Sequence, residues 1–185
     1  KKFKSKPAKK KPDEARRADW EQWMGLVDRD DPESLVLERL STSTTKPHAP
    51  GPGAIKRIHW DKIGAKWIKG RRILLHTDSA RSYKAKIEGV IHDNVVRQKK
   101  RVYNKKLKRY RWINPKFTKT VKHRLPNGKV LAVKAGTQII DRCWAFLKNR
   151  SKYRLQGRVG SLKVARRIRS AQWFYWNRQR SDLRA

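Results

Sequence analysis

The stretch "RRILLHTDSARSY", residues 71–83, joins an apolar run to a carboxylate and decides which kind of fold the sequence predicts. Three consecutive apolar residues, 73–75, lead into His76, Thr77 and Asp78, and small polar residues follow. A short apolar run that ends in turn-forming residues is typical of a buried strand in an α/β sheet. Ligands of such sheets bind beyond the carboxyl ends of the strands, so Asp78 stands where chemistry is expected.

The segments around this strand extend the α/β prediction in both directions. Residues 89–96, "GVIHDNVV", predict a second strand that is buried on both faces, as in a mixed or parallel sheet. Residues 54–70 carry apolar side chains at spacings near three and four, which predicts a helix that ends at Gly70. Residues 20–40 contain two strand-like runs around the turn "DRDDPE" and predict an antiparallel hairpin. Residues 41–54 are too rich in proline for a helix or a central strand and predict a loop.

Two helices are predicted to close the chain, over residues 137–153 and 161–180. The first places Ile140, Trp144 and Leu147 on one face. The second is predicted to present one apolar face made of Leu162, Ala165, Ile168, Gln172 and Trp176.

Residues 97–135, between the strands and these helices, predict a basic β-rich insertion. Asn127-Gly128 lies between two alternating segments, which is a strong signal of a hairpin turn. The aromatic residues of the insertion either stack on exposed bases or form a small satellite core, and the sequence leaves both roles open. The aromatic residues are Tyr103, Tyr110, Trp112 and Phe117. The cations that we expect to contact nucleic acid are Arg97, Lys99, Lys100, Arg101, Lys105, Lys106, Arg109 and Arg111.

The overall charge favours a polyanionic partner. Lysine and arginine number 50 against 15 aspartates and glutamates, for a formal net charge of +35 and a pI near 11.2. Such a surplus favours DNA, or RNA as for a ribosomal-type protein, because cations release the counterions condensed on phosphates. An anionic membrane is not predicted as a partner, since no basic amphipathic helix stands apart and no apolar run approaches a membrane span. Cys143 is the only cysteine, which excludes an internal disulfide and a cysteine-based zinc site.

Carboxylates are rare after Asp61, so their positions are informative. Two of them, Asp78 and Asp141, could hold Mg²⁺ or Mn²⁺ if the fold brought them together. The alternative is structural, with Asp78 capping the turn "SARSY" and Asp141 stabilising the start of a helix. Spacing alone favours that alternative. The five carboxylates after Asp61 are Asp78, Glu88, Asp93, Asp141 and Asp182.

Three motifs in order, "ILLHTDSARSY", "GVIHDNVV" and "GTQIIDRCWAFLK", resemble the ISXO-like insertion-sequence transposases of the DDE superfamily. The resemblance covers roughly residues 20–178. It implies a ribonuclease H-like mixed sheet flanked by helices, and metal-dependent DNA cleavage and strand transfer. Asp78 would be the second catalytic acid, and Asp141 falls where the family has its final acid, usually Glu, three residues before Trp144. His92 matches a family histidine that contacts DNA or orients the site, and a purely structural role is the alternative.

The chain also departs from the family pattern. The first strand and its acid are not visible, and Asp13 and Asp19 lie in a charged stretch without an apolar strand. We therefore expect an N-terminally truncated copy, with basic tail 1–19, domain 20–180 and tail 181–185. A DNA-bound homodimer and location in a nucleus, or in a bacterial cytoplasm and nucleoid, are further expectations. The alternative function is a non-catalytic basic module, either a repurposed transposase or a ribosomal-type RNA-binding protein.

Overall fold

The computed structural model describes residues 17–151 and 159–178. Asp13, most of the predicted basic tail and the whole tail 181–185 lie outside these residues. No α-helix in the described segments combines the length and the apolarity needed to cross a membrane. The strands are β1 (Ala18–Trp20), β2 (Trp23–Leu26), β3 (Val36–Arg39), β4 (Ser43–Thr45), β5 (Ile73–Asp78), β6 (Val90–Val95), β7 (Lys100–Asn104), β8 (Arg109–Ile113), β9 (Thr118–Arg124) and β10 (Val130–Gly136). The α-helices are α1 (Arg57–Trp67), α2 (Gln138–Ser151) and α3 (Leu162–Trp176), and short 3₁₀ helices span Pro32–Ser34 and Arg81–Lys84.

The β2–β3 hairpin forms the middle layer between helices. On one side, Leu35 and Leu37 are buried in a cluster with side chains of α2 and α3. On the other side, Met24 packs with Trp60 and other side chains of α1. Residues of a strand point alternately to the two faces, so one short hairpin can serve both clusters. The predicted hairpin and helix α1 are thus confirmed. The two clusters explain why both faces of the hairpin carry apolar side chains.

The strands pair two by two. Among the described residues, four pairs are antiparallel, and β5 and β6 form a parallel pair in which His76 lies beside Asp93. A parallel pair requires a crossover, here through the 3₁₀ helix Arg81–Lys84. The predicted α/β class is confirmed at this level, as a mixed fold of small sheets and three helices.

Two local predictions were wrong. Residues 41–54 were expected to be a loop, but β4 lies within them and pairs with β1, before the prolines begin. On α3, Leu162 is 69% exposed, whereas Val164, Ala171 and Tyr175 are buried. The buried face is therefore rotated from the predicted one. Three residues of the predicted face do pack against the core: Ile168, Gln172 and Trp176. The amide of Gln172 donates to the carbonyl oxygen of Leu35 at 2.8 Å.

The basic insertion contains two hairpins of different character. The β9–β10 hairpin turns at Asn127-Gly128 as predicted, with Gly128 at φ +79°, and its residue Ala135 is fully buried. The β7–β8 hairpin, which we call the ribbon, is exposed along nearly its whole length. Hence the end of β9–β10 at Ala135 and Gly136 is packed against the fold, and the ribbon extends into solvent.

Candidate functional site

Asp78 and Asp141 line one cavity of about 350 Å³. Asp78 is the last residue of β5 and Asp141 lies in the first turn of α2, so the carboxyl end of a strand meets the start of a helix. Arg97 and Trp144 line the same cavity. The structure thus brings together the two acids that the sequence singled out 63 residues apart.

Hydrogen bonds fix the backbone around Asp78. Its Oδ1 accepts from the backbone N–H of Ala80 at 2.9 Å, which is the turn-capping role predicted as the alternative. The Thr77 hydroxyl donates to the carbonyl oxygen of Asp78 at 2.7 Å. Because that hydroxyl has a single hydrogen, the 2.8 Å contact with His92 requires His92 Nε2–H to be the donor. Burial lowers the pKa of His92, which keeps its imidazole neutral at neutral pH and suits this structural contact.

Asp141 is engaged by a cation from the insertion. Its Oδ2 lies 2.6 Å from Nη1 of Arg97 and accepts from the hydroxyl of Thr137 at 3.2 Å. Both side chains of the ion pair are over one third exposed, so water screens their attraction. Arg97 also lies 5.3 Å from the ring centre of Phe117. The first residue of the insertion therefore neutralises one of the two candidate metal ligands.

The carboxylates provide the right atoms for Mg²⁺ or Mn²⁺, but too few of them. Hard divalent cations prefer carboxylate oxygens and need about six ligands. Within residues 17–151 and 159–178, no group of three or more His, Cys, Asp or Glu side chains is arranged to hold a metal ion. Asp78 and Asp141 could hold a cation only weakly, with water in most positions and in competition with Arg97.

Tyr83 adds a neutral phenol to the wall of this cavity. Burial raises the pKa of Tyr83 to about 12, and the charge of Asp78 contributes in the same direction. Its ring meets the ring of Trp60 edge to face at 4.8 Å, which fixes it between α1 and the cavity. The phenol therefore stays protonated and available as a hydrogen-bond donor at neutral pH.

A second polar cluster, which the sequence analysis missed, centres on Asp93. Its side chain is only 4% exposed and accepts from Nδ1 of His76 at 2.6 Å and from Nε2 of His123 at 3.0 Å. These residues come from β6, β5 and β9. A buried carboxylate is costly unless it is hydrogen-bonded, and here each oxygen has a partner. The cluster therefore joins the β9–β10 hairpin to the parallel pair.

The predicted nucleic-acid contacts lie on the surface of the insertion. Residues 97–136 contain fifteen lysines and arginines and no aspartate or glutamate, and all fifteen cations are exposed. Of these fifteen, only Arg97 forms an ion pair with a carboxylate in the described part of the chain. All predicted contact cations belong to this group: Arg97, Lys99, Lys100, Arg101, Lys105, Lys106, Arg109 and Arg111. His92 is half-buried beside it, in a cavity that Lys119 and His123 also line.

The pairing of Arg97 with Asp141 leads to a prediction about metal affinity. Replacing Arg97 by glutamine should strengthen Mn²⁺ binding by roughly 1.4- to fivefold, because an exposed ion pair contributes about 0.2–1 kcal/mol. Arg101→Gln, which removes the same charge outside the cavity, is the control. The double change Asp78→Asn and Asp141→Asn should abolish binding. Titration calorimetry with Mn²⁺ measures all three. Equal affinities for the two arginine variants would show that Arg97 does not compete with the metal.

No family model matches the sequence, and no curated protein or solved structure is significantly similar to it.

Proposed function

We propose that the chain is a transposase-derived, ribonuclease H-like domain that binds DNA through its basic insertion and does not cleave DNA by itself. The observation that carries this proposal is the set of fifteen exposed cations in residues 97–136, with no carboxylate among them. A surface of this kind binds phosphates, releases condensed counterions and has little sequence preference.

The order of elements supports the ribonuclease H-like part of the proposal. The antiparallel hairpin β2–β3 and the short strand β4 precede helix α1, and the parallel pair β5–β6 follows it. The ribonuclease H-like domain that the resemblance to ISXO-like transposases implies also has antiparallel strands, then a helix and then a further strand. Asp78 lies at the end of β5, and Asp141, in the first turn of α2, lines the same cavity. These positions agree with the roles that the resemblance implies for the two acids.

The number of acids supports the non-catalytic part: among residues 17–151 and 159–178, Asp78 and Asp141 are the two that line the cavity. Asp19 lies on β1, where its Oδ1 accepts from the hydroxyl of Thr44 at 2.6 Å, and it is not among the residues that line the cavity. With two carboxylates, of which Asp141 is paired with Arg97, two Mg²⁺ or Mn²⁺ ions cannot both be positioned. Preorganised charge is usually the largest contribution to catalysis, so its loss should cost several orders of magnitude in rate.

Incubation of the purified chain with DNA tests both halves of the proposal. We expect a shifted DNA band in a gel at low salt, and neither nicks nor joined strands after addition of Mg²⁺ or Mn²⁺. Asp78→Asn should bind DNA as the parent chain does, since the carboxylate lies outside the insertion. Metal-dependent cleavage that Asp78→Asn removes would contradict the non-catalytic assignment. Failure of the parent chain to bind DNA would contradict the proposal as a whole.

A further inference from the structure

The register of the ribbon separates its side chains into two faces. Arg101 pairs with Trp112, and Tyr103 pairs with Tyr110, so these four side chains share one face, which we call the aromatic face. The opposite face carries polar, basic and aliphatic side chains. They are Lys100, Val102, Asn104, Arg109, Arg111 and Ile113.

The aromatic face is not covered by the rest of the described chain. Tyr103 is 47% exposed, Tyr110 58% and Trp112 65%. Tyr103 and Tyr110 meet edge to face at 5.1 Å, and the guanidinium of Arg101 lies 4.2 Å from the ring centre of Tyr110. These contacts hold the side chains in place but leave much of each ring in water. A satellite core, which was one of the two roles predicted for these aromatics, would have covered them.

The charge around the aromatic face favours an anionic partner, and the exposed rings indicate whether a nucleic acid binds there as a single strand or as a duplex. Fifteen cations without a carboxylate exclude a basic partner and favour a polyphosphate. In a duplex the flat faces of the bases are stacked on one another, whereas an unpaired strand exposes them to aromatic side chains. We propose that the aromatic face binds an unpaired nucleic-acid strand, with bases stacked on Trp112 and Tyr110 and phosphates beside the ribbon's cations. This inference rests on the proposed nucleic-acid binding and names the form of nucleic acid that the ribbon takes.

The spacing of the rings fits an extended strand. Tyr110 and Trp112 are two residues apart on β8, which separates them by about 6.7 Å along the strand. That is about twice the roughly 3.4 Å between stacked bases of one DNA strand. The two rings therefore contact bases that have moved apart. Arg101 already lies against Tyr110, so Trp112 offers the larger free ring surface.

Replacing Trp112 in the full chain tests this inference. The probes are a single-stranded DNA of about 12 nucleotides, an RNA of the same sequence, and the DNA in duplex form, all at one salt concentration. Trp112→Ala should weaken binding of at least one single strand by roughly 5- to 100-fold and binding of the duplex by less than about twofold. Trp112→Phe should retain most of the affinity. Trp173→Ala, which removes a 44% exposed indole from α3, is the matched control and should change neither.

The outcomes separate this inference from the proposed function. If Trp112→Ala weakens binding of both single-stranded DNA and RNA, the ring stacks on bases whichever sugar carries them. If it weakens binding of only one, the site accepts that sugar. Equal losses for single strands and duplex, or no loss for either, would overturn the inference. If the parent chain binds none of the three probes, the proposed function fails as well. An unchanged urea midpoint for Trp112→Ala is expected, since the ring is exposed, and a lowered midpoint would overturn the inference by showing that Trp112 packs within the fold.

Discussion

Asp93→Ala is expected to lower the free energy of unfolding by about 2–6 kcal/mol, a large part of the roughly 5–15 kcal/mol that stabilises a typical domain. The carboxylate of Asp93 accepts from His76 at 2.6 Å and from His123 at 3.0 Å. Without it, two imidazole N–H groups lose their partner in side chains that are only 11% and 12% exposed. Each buried donor left without a partner costs about 1–3 kcal/mol. Urea denaturation of the parent and the variant measures the difference.

Asp61→Ala is the control for this prediction. Asp61 pairs with Arg57 on the outer face of α1, where its side chain is 54% exposed, so its loss should change stability by at most about 1 kcal/mol. Hydrogen exchange adds a local measurement: in Asp93→Ala the amides of β9 should lose more protection than those of α3, because His123 joins β9 to β6. Equal stabilities for Asp93→Ala and Asp61→Ala would show that the cluster does not hold the hairpin.

Local signals were sufficient to predict most elements from the sequence. The apolar run of residues 73–75 predicted β5, and the spacing of three and four predicted α1. Asn127-Gly128 predicted the β9–β10 turn, because a glycine accepts the positive φ of +79° found there. The rotation of α3 was missed because its apolar residues are distributed around the helix, and tertiary contacts such as Gln172 with the Leu35 carbonyl decide which face is buried.

The Asp93 cluster was not predicted, because it depends on register between distant strands. His76 and Asp93 are 17 residues apart, and His123 lies another 30 residues on. One signal was available: His76 and Asp93 are each the fourth residue of their strand, which places them side by side in a parallel pair. The role of Arg97 had no such signal, since nothing in the sequence distinguishes it from the other cations of the insertion.

Binding of duplex DNA is expected to weaken by about 10³- to 10⁵-fold between roughly 50 and 200 mM salt. That range applies when about six to ten cations contact phosphates, and the insertion exposes fifteen. Each contact contributes about −0.9 to the slope of log affinity against log salt concentration, so we expect a slope between about −5 and −9. Fluorescence anisotropy of a labelled duplex at several salt concentrations measures it.

The salt slope of two matched triple variants tests most directly the claim that the insertion is the nucleic-acid-binding surface. One variant changes Lys100, Arg109 and Arg111 of the ribbon to glutamine. The other changes three exposed cations of α2 and α3, namely Lys148, Lys163 and Arg166, and removes the same charge. We predict that the ribbon variant makes the slope less negative by about 2–3 and that the helix variant changes it by less than about 1. Equal changes in the two variants would contradict the claim, because binding would then follow total charge and not the surface of the insertion.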